Sequence, residues 1–231
     1  MDIRKELLKH KNKVQAQNLS RFFKTGVGEY GAGDKFLGIK VPVLRSLAKQ
    51  FIELSFSDVQ TMLKSVYHEE RLLGAFILVY KFKRADEKEK TQIYKLYLKN
   101  WSGLNNWDII DTTTPNIIGE YLADKDKKII CEFARSNNLW KKRISILATF
   151  SFIKRHEFED SLKISEILIK DKHDLIHKAV GWMLREVGKR DLPLEETFLR
   201  KWYKMMPRTM LRYAIEKFPE NKRQKYLTGL I

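Results

Sequence analysis

The sequence predicts an all-α protein, a superhelical solenoid of antiparallel helix pairs with a concave basic face. Three observations lead there. Nearly every segment carries apolar residues at helical spacing, and no convincing period-two strand is present. The stretches marked by Arg71, Trp107, Trp140 and His177 recur at roughly 35 residues, the length of a two-helix repeat. The formal charge is +16 with a pI near 9.7. Such self-repulsion is commonly matched by a polyanionic partner, and nucleic acid rewards it through counterion release at each phosphate.

The 231 residues, 43% hydrophobic and 32% charged, fit one ordered domain spanning 1–231 with no long linker. No run of roughly eighteen apolar residues is found, so no membrane partner is expected. The opening "MDIRKELLKHKNKVQAQ" lacks a secretory signal and reads as a charged helix. The single cysteine, Cys131, cannot form an internal disulfide and says nothing against a reducing cytosol. A cytoplasmic monomer without cofactor is expected.

Five of the eleven glycines fall between Gly26 and Gly38. Gly26, Gly28 and Gly31 spell G-x-G-x-x-G, but no strand precedes them and no βαβ unit follows, so dinucleotide binding is set aside. The stretch reads as a flexible loop running into a helix near Pro42, whose first N–H groups can meet a phosphate. The long helices are "RLLGAFILVYKFK", "WKKRISILATFSFIKR", "LIHKAVGWMLREVGKR" and "MPRTMLRYAIEKF", with shorter amphipathic pieces between them: "DKDKKIICEFARS", "FEDSLKISEILIKD" and "LPLEETFLRKWYKM". Ser57, Asp86, Asp124 and Asp174 are expected caps, and Pro193 and Pro207 first-turn prolines.

Four stretches carry candidate chemistry. In "NNWDIIDTTTP", Trp107 and Asp111 fall four apart on one helix face, while Ile109 and Ile110 point to the core. The ring and the acid are therefore expected off the core side, facing outward. In "LWKKRISI", Arg143 follows Lys141 and Lys142 beside an apolar edge; it either clamps a phosphate or pairs with an acid on a neighbouring helix. In "HKAVGWMLREVGK", Lys178, Trp182, Arg185 and Lys189 form one stripe; Trp182 either stacks on a nucleotide or packs under lysine stems. In "MPRTMLRY", Arg208 and Arg212 either contact phosphate or pair with Glu216. His173 and His177 have a zincin-like spacing, but no third ligand is evident and no metal is expected.

Asp111 is the best catalytic candidate. A carboxylate in a cationic groove repels phosphate, so it serves binding poorly. It serves a reaction that builds positive charge, such as N-glycosidic cleavage through an oxocarbenium-like state. Beside it, Trp107 can hold the sugar, with Trp182 from another repeat.

The stretches "NWDIID", "LWKKRISI", "AVGWMLRE" and "MPRTMLRYAIEKF", preceded by "FLGIKVPVLR", resemble the DNA alkylation repair glycosylases of the AlkD type, in order and spacing from about Phe36 to Phe218. The resemblance implies a right-handed solenoid of HEAT-like helix pairs. It implies excision of N3- and N7-alkylated purines from double-stranded DNA in base excision repair. The positive charge of such a base makes it a good leaving group, so no strong general acid is needed. It further implies that Asp111 stabilises the sugar cation and orients water, that Trp107 and Trp182 contact the deoxyribose, and that Arg143 binds the backbone. Against this stand a non-catalytic DNA-binding solenoid recognising distorted or branched DNA, and a helical protein-binding scaffold; Asp111 together with both tryptophans favours the enzyme.

Overall fold

In the computed structural model, which describes residues 2–231, the chain is helical almost throughout. Among those residues extended pairing is confined to an isolated bridge between Lys35 and Tyr67. The chain divides into two compact units, Met1–Ile117 and Ile118–Ile231.

The first unit contains α1 (Ile3–Leu8), α2 (Lys13–Phe22), α3 (Val41–Gln50), α4 (Phe56–Leu63), α5 (His68–Phe82), α6 (Glu87–Lys99) and α7 (Trp107–Thr114). The charged opening is two helices where the sequence suggested one. Asn12 is extended (φ −136°), and its side chain accepts from the Gln15 N–H at 2.9 Å, so it starts a new helix. The unit is organised on α5, which packs against α3, α4, α6 and α7. All but two of its 15 residues are buried, as expected of a helix that is apolar nearly all round.

The glycine-rich stretch is pinned to α5 by a buried carboxylate. Glu69, 1% exposed, accepts from the N–H groups of Leu37, Gly38 and Ile39 at 2.9, 2.8 and 3.2 Å. Gly38 has φ +82°, and a Cβ there would lie 2.0 Å from the Asn12 carbonyl oxygen, so only glycine fits.

The second unit contains α8 (Glu120–Leu122), α9 (Lys128–Ala134), α10 (Leu139–Lys154), α11 (Glu159–Leu168), α12 (Asp174–Gly188), α13 (Leu192–Trp202), α14 (Arg208–Ala214) and α15 (Glu220–Thr228). Its centre is α12, packed against α10, α11, α13 and α14. At Gly181 the approach to α14 is tight: a Cβ would lie 2.4 Å from the Met210 carbonyl oxygen. A π-helical turn, Pro115–Gly119, follows α7, where proline cannot donate to the α-helical ladder.

The caps shift by small steps from the sequence expectation. Asp86 caps α6 as expected. Ser55 caps α4, leaving Ser57 inside the helix. Lys127 precedes α9, so Asp124 caps nothing there. His173 caps α12, its Nδ1 accepting from the Leu175 N–H at 3.1 Å, with Asp174 the first helical residue. Pro193 lies in the first turn of α13, whereas Pro207 is the residue before α14.

Glu195 is 1% exposed and its Oε1 is buried without a hydrogen-bond partner among the described residues. Burial first, then the nearby charge of Glu196, push its carboxyl up to about 9, against the pull of Arg185. Above pH 4.5 the unfolded chain ionises this group while the folded chain keeps it protonated. Stability is therefore lost as pH rises from about 4.5 towards 9. Glu195→Gln, an isostere without the proton, is expected to gain about 2 kcal/mol at pH 8, roughly 4–8 °C in Tm, and nothing at pH 4. Scanning calorimetry at the two pH values checks this.

Candidate active site and nucleic-acid interface

The start of α7 is set by Asn106, fully buried at φ +103°, whose side-chain oxygen accepts from the Trp107 N–H at 2.9 Å. From that start the helix buries Ile109 and Ile110 completely. Trp107 and Asp111, one turn apart, share the other face and are half-buried, not openly exposed as expected. The reason is α2. The Trp107 ring lies 5.3 Å from that of Phe23 and 5.9 Å from that of Phe22, and Phe22 is itself 62% exposed. At the far end of α7 the buried Tyr97 hydroxyl meets Thr113 Oγ1 at 2.7 Å and Thr114 Oγ1 at 2.9 Å. Burial pushes that phenol up to about 12, with the negative charge of Asp111 adding to the effect and the threonine contacts opposing it.

Beneath Trp107 lies a polar hub that the sequence did not announce. Asp34, from the glycine-rich loop, accepts from Arg71 Nη2 at 2.7 Å, Asn105 Nδ2 at 3.1 Å and Asn106 Nδ2 at 3.4 Å. His68 Nε2 is 2.8 Å from Asp108 Oδ2, and its Nδ1 is 3.7 Å from Asp34 Oδ2. Burial alone would drive the His68 imidazolium down. The Asp108 and Asp34 carboxylates outweigh it, against Arg71, and raise His68 to about 9. For Asp34, burial acts to raise the carboxyl, but His68, Arg71 and Asn105 together hold it below the usual range. The loop thus supplies the acid that braces the strained start of α7.

In the second unit the cations are more engaged than spacing suggested. Arg143 is 4% exposed, and its Nη1 donates to the Leu175 carbonyl. It is buried with the rest of α10, which is covered around most of its circumference from Arg143 to Ile153. Lys142 pairs with Asp171 at 2.6 Å, and the Lys141 ammonium lies 5.5 Å from the Phe133 ring centroid.

The stripe on α12 is threaded with acids. Lys178 pairs with Asp174 and Lys189 with Glu186, both at 2.6 Å. Arg185 pairs with Glu216, and Trp182 Nε1 donates to Glu186 Oε1 at 3.3 Å. The Trp182 ring is half-buried, 5.7 Å from that of Phe150. Arg208 donates to the Leu227 carbonyl at 2.5 Å, and Arg212 is exposed. Glu216 is held by Arg185 and Lys217, which replaces the alternative in which Arg208 or Arg212 pairs with it.

His173 caps α12 and His177 Nε2 lies 2.6 Å from the Asp171 carbonyl oxygen, which gives both histidines a local structural role. Among the described residues no group of three or more His, Cys, Asp or Glu is arranged to hold a metal ion. No helix among them is long and apolar enough to cross a membrane.

The sequence model of the DNA alkylation repair enzymes matches residues 3–218. Among solved structures, a predicted DNA alkylation repair enzyme from Enterococcus faecalis superposes with a TM-score of 0.73 at 17% identity, over 91% of this chain and 98% of the other. AlkD2 from Streptococcus mutans superposes with a TM-score of 0.53 at 18% identity, over 95% and 100%. No curated protein matches the sequence. At these identities the structural likenesses carry the fold, which is that of the AlkD type. The sequence match spans the glycine-rich loop, α7 and the helices bearing Arg143 and Trp182, and on that basis the chain belongs to the DNA alkylation repair enzyme family.

Proposed function

We propose that the protein is a monofunctional DNA glycosylase that removes N3- and N7-alkylated purines from duplex DNA, acting as a monomer without a cofactor. The observation that carries this reading is the pairing on α7. Ile109 and Ile110 turn inward, and the remaining face presents the Trp107 ring and the Asp111 carboxylate one turn apart.

The reaction needs little more from the protein. An alkylated purine already carries positive charge, so the C1′–N bond breaks with its electron pair going to the base, which leaves neutral. Positive charge then accumulates on C1′ and the ring oxygen. The Asp111 carboxylate stabilises it electrostatically and orients a water whose oxygen bonds to C1′, taking up the proton that water loses. The Trp107 ring bounds the sugar on one side. A basic residue near the leaving base is not required, which agrees with a site built on one carboxylate.

The affinity for DNA is assigned to Lys141, Lys142, Lys178, Arg185, Arg208 and Arg212 at the phosphates. Arg143, tied to Leu175, is given the task of fixing α10 against α12, and meets phosphate only along its narrow open edge.

The test is base release from a duplex carrying one N7-methylguanine, compared with the undamaged duplex. Release of the free methylated base, leaving an abasic site without strand cleavage, is the expected result. Salt-dependent binding with no release would instead make the protein a non-catalytic DNA-binding solenoid.

A further inference from the structure

His68 occupies the first position of α5, where a cation opposes the positive end of the helix dipole, and it is 2% exposed. A helix needs no buried imidazolium at that point. Tyr67 precedes it without a side-chain cap, and the His68 N–H is already satisfied by the Lys35 carbonyl at 2.8 Å. What surrounds the ring explains why it is there.

Two paths lead from this imidazole, and both end at Trp107. Through Nε2 it holds the Asp108 carboxylate, the residue after Trp107 in the first turn of α7. Through its face it stacks with Phe36 (centroids 4.8 Å apart) and lies 5.0 Å from Phe23, and Phe23 in turn carries the Trp107 ring at 5.3 Å. The other charged groups facing it are Asp34 from the loop and Arg71 from its own helix.

We propose that His68 is a positioning residue for base excision, holding the Trp107 ring and the first turn of α7 through Asp108 and Phe23. The inference rests on the reading of Trp107 and Asp111 as the reacting site. His68 does not touch the substrate. Its protonated form fixes Asp108, and with it the direction in which Trp107 leaves the backbone. When the proton is lost near pH 9 the ion pair goes, and the ring is free to shift.

The experiment combines a spectroscopic and a kinetic readout on the full chain. The five tryptophans are replaced by 5-fluorotryptophan, and the Trp107 resonance is identified by its loss in Trp107→Phe. In the wild type this resonance is expected to move with a midpoint near pH 9, and in His68→Gln to be displaced and pH-independent. Asp108→Asn, which keeps a hydrogen-bond acceptor without the charge, is expected to lower the midpoint by about one unit or more. At pH 7.5, kcat for base release is expected to fall about tenfold or more in His68→Gln, with the DNA Kd within about twofold of the wild type.

A Trp107 signal indifferent to pH and to His68 would overturn the proposal, as would a kcat for His68→Gln equal to that of a wild type that releases base. Coupled fluorine signals in a protein that releases no base would leave the His68–Trp107 linkage standing and remove the glycosylase reading instead.

Discussion

Asp111→Asn is expected to slow release of N7-methylguanine by about 10²–10⁴-fold under single-turnover conditions, while duplex binding stays the same or tightens slightly. The size follows from what the carboxylate is asked to do. A charge that acts only as the sugar becomes cationic contributes to the transition state and not to the ground state, so its loss appears in kcat and leaves binding alone. Each tenfold corresponds to about 1.4 kcal/mol of barrier, and asparagine keeps the shape of the side chain and one acceptor oxygen without the charge. Tighter binding would have a simple origin, because the acid repels backbone phosphate. A Trp107→Ala variant separates the two roles on α7, since loss of the ring should weaken sugar placement while the carboxylate remains. If Asp111→Asn released base at the wild-type rate, the acid would not be the group that stabilises the sugar cation, and the glycosylase mechanism drawn from it would fall.

How much of this could be read from the chain depends on whether the information is local. The period of the apolar residues identified α5, α10, α12 and α14, because each carries its pattern within one helix. The inward turn of Ile109 and Ile110, which leaves Trp107 and Asp111 together, was legible for the same reason. Caps slipped by one or two residues where several polar side chains compete, as Ser55 and Ser57 do ahead of α4.

The polar hub was not legible. Asp34, His68, Asn106 and Asp108 come from three separate segments, and only the fold brings them within contact. One local signal was available: a histidine opening the run "HEERLLGAF", at a helix start where a cation is unfavourable. The surroundings of Arg143 were not legible for a related reason. Position beside an apolar edge does not say whether a neighbouring helix covers that edge, and here α12 does, offering the Leu175 carbonyl as a partner.

Asp34→Ala is expected to destabilise the first unit by about 3–5 kcal/mol, the usual consequence of removing one partner from a buried ion pair. The reason lies in what would be left behind. Arg71 would keep only its contact to the Ser65 carbonyl, His68 would face Arg71 with half its compensation gone, and Asn106 would lose the acceptor that braces its positive φ. Asp34→Asn should cost less, since its amide oxygen keeps one of the two acceptor positions.

The pH dependence gives a second, independent reading of the same hub. His68 is raised to about 9 from an unfolded value of 6.5, so its contribution is fully present below pH 6.5 and is lost as pH rises through about 9. At about 1.36 kcal/mol per unit, that loss is about 3 kcal/mol. Glu195 titrates across the same window, so the urea-denaturation series belongs in the Glu195→Gln background. There the parent should lose stability between pH 6 and pH 9.5, and the Asp34→Ala variant should start lower and lose less, because its histidine is less strongly held. Parallel curves for the two proteins would mean that Asp34 supports the fold without supporting the charge on His68.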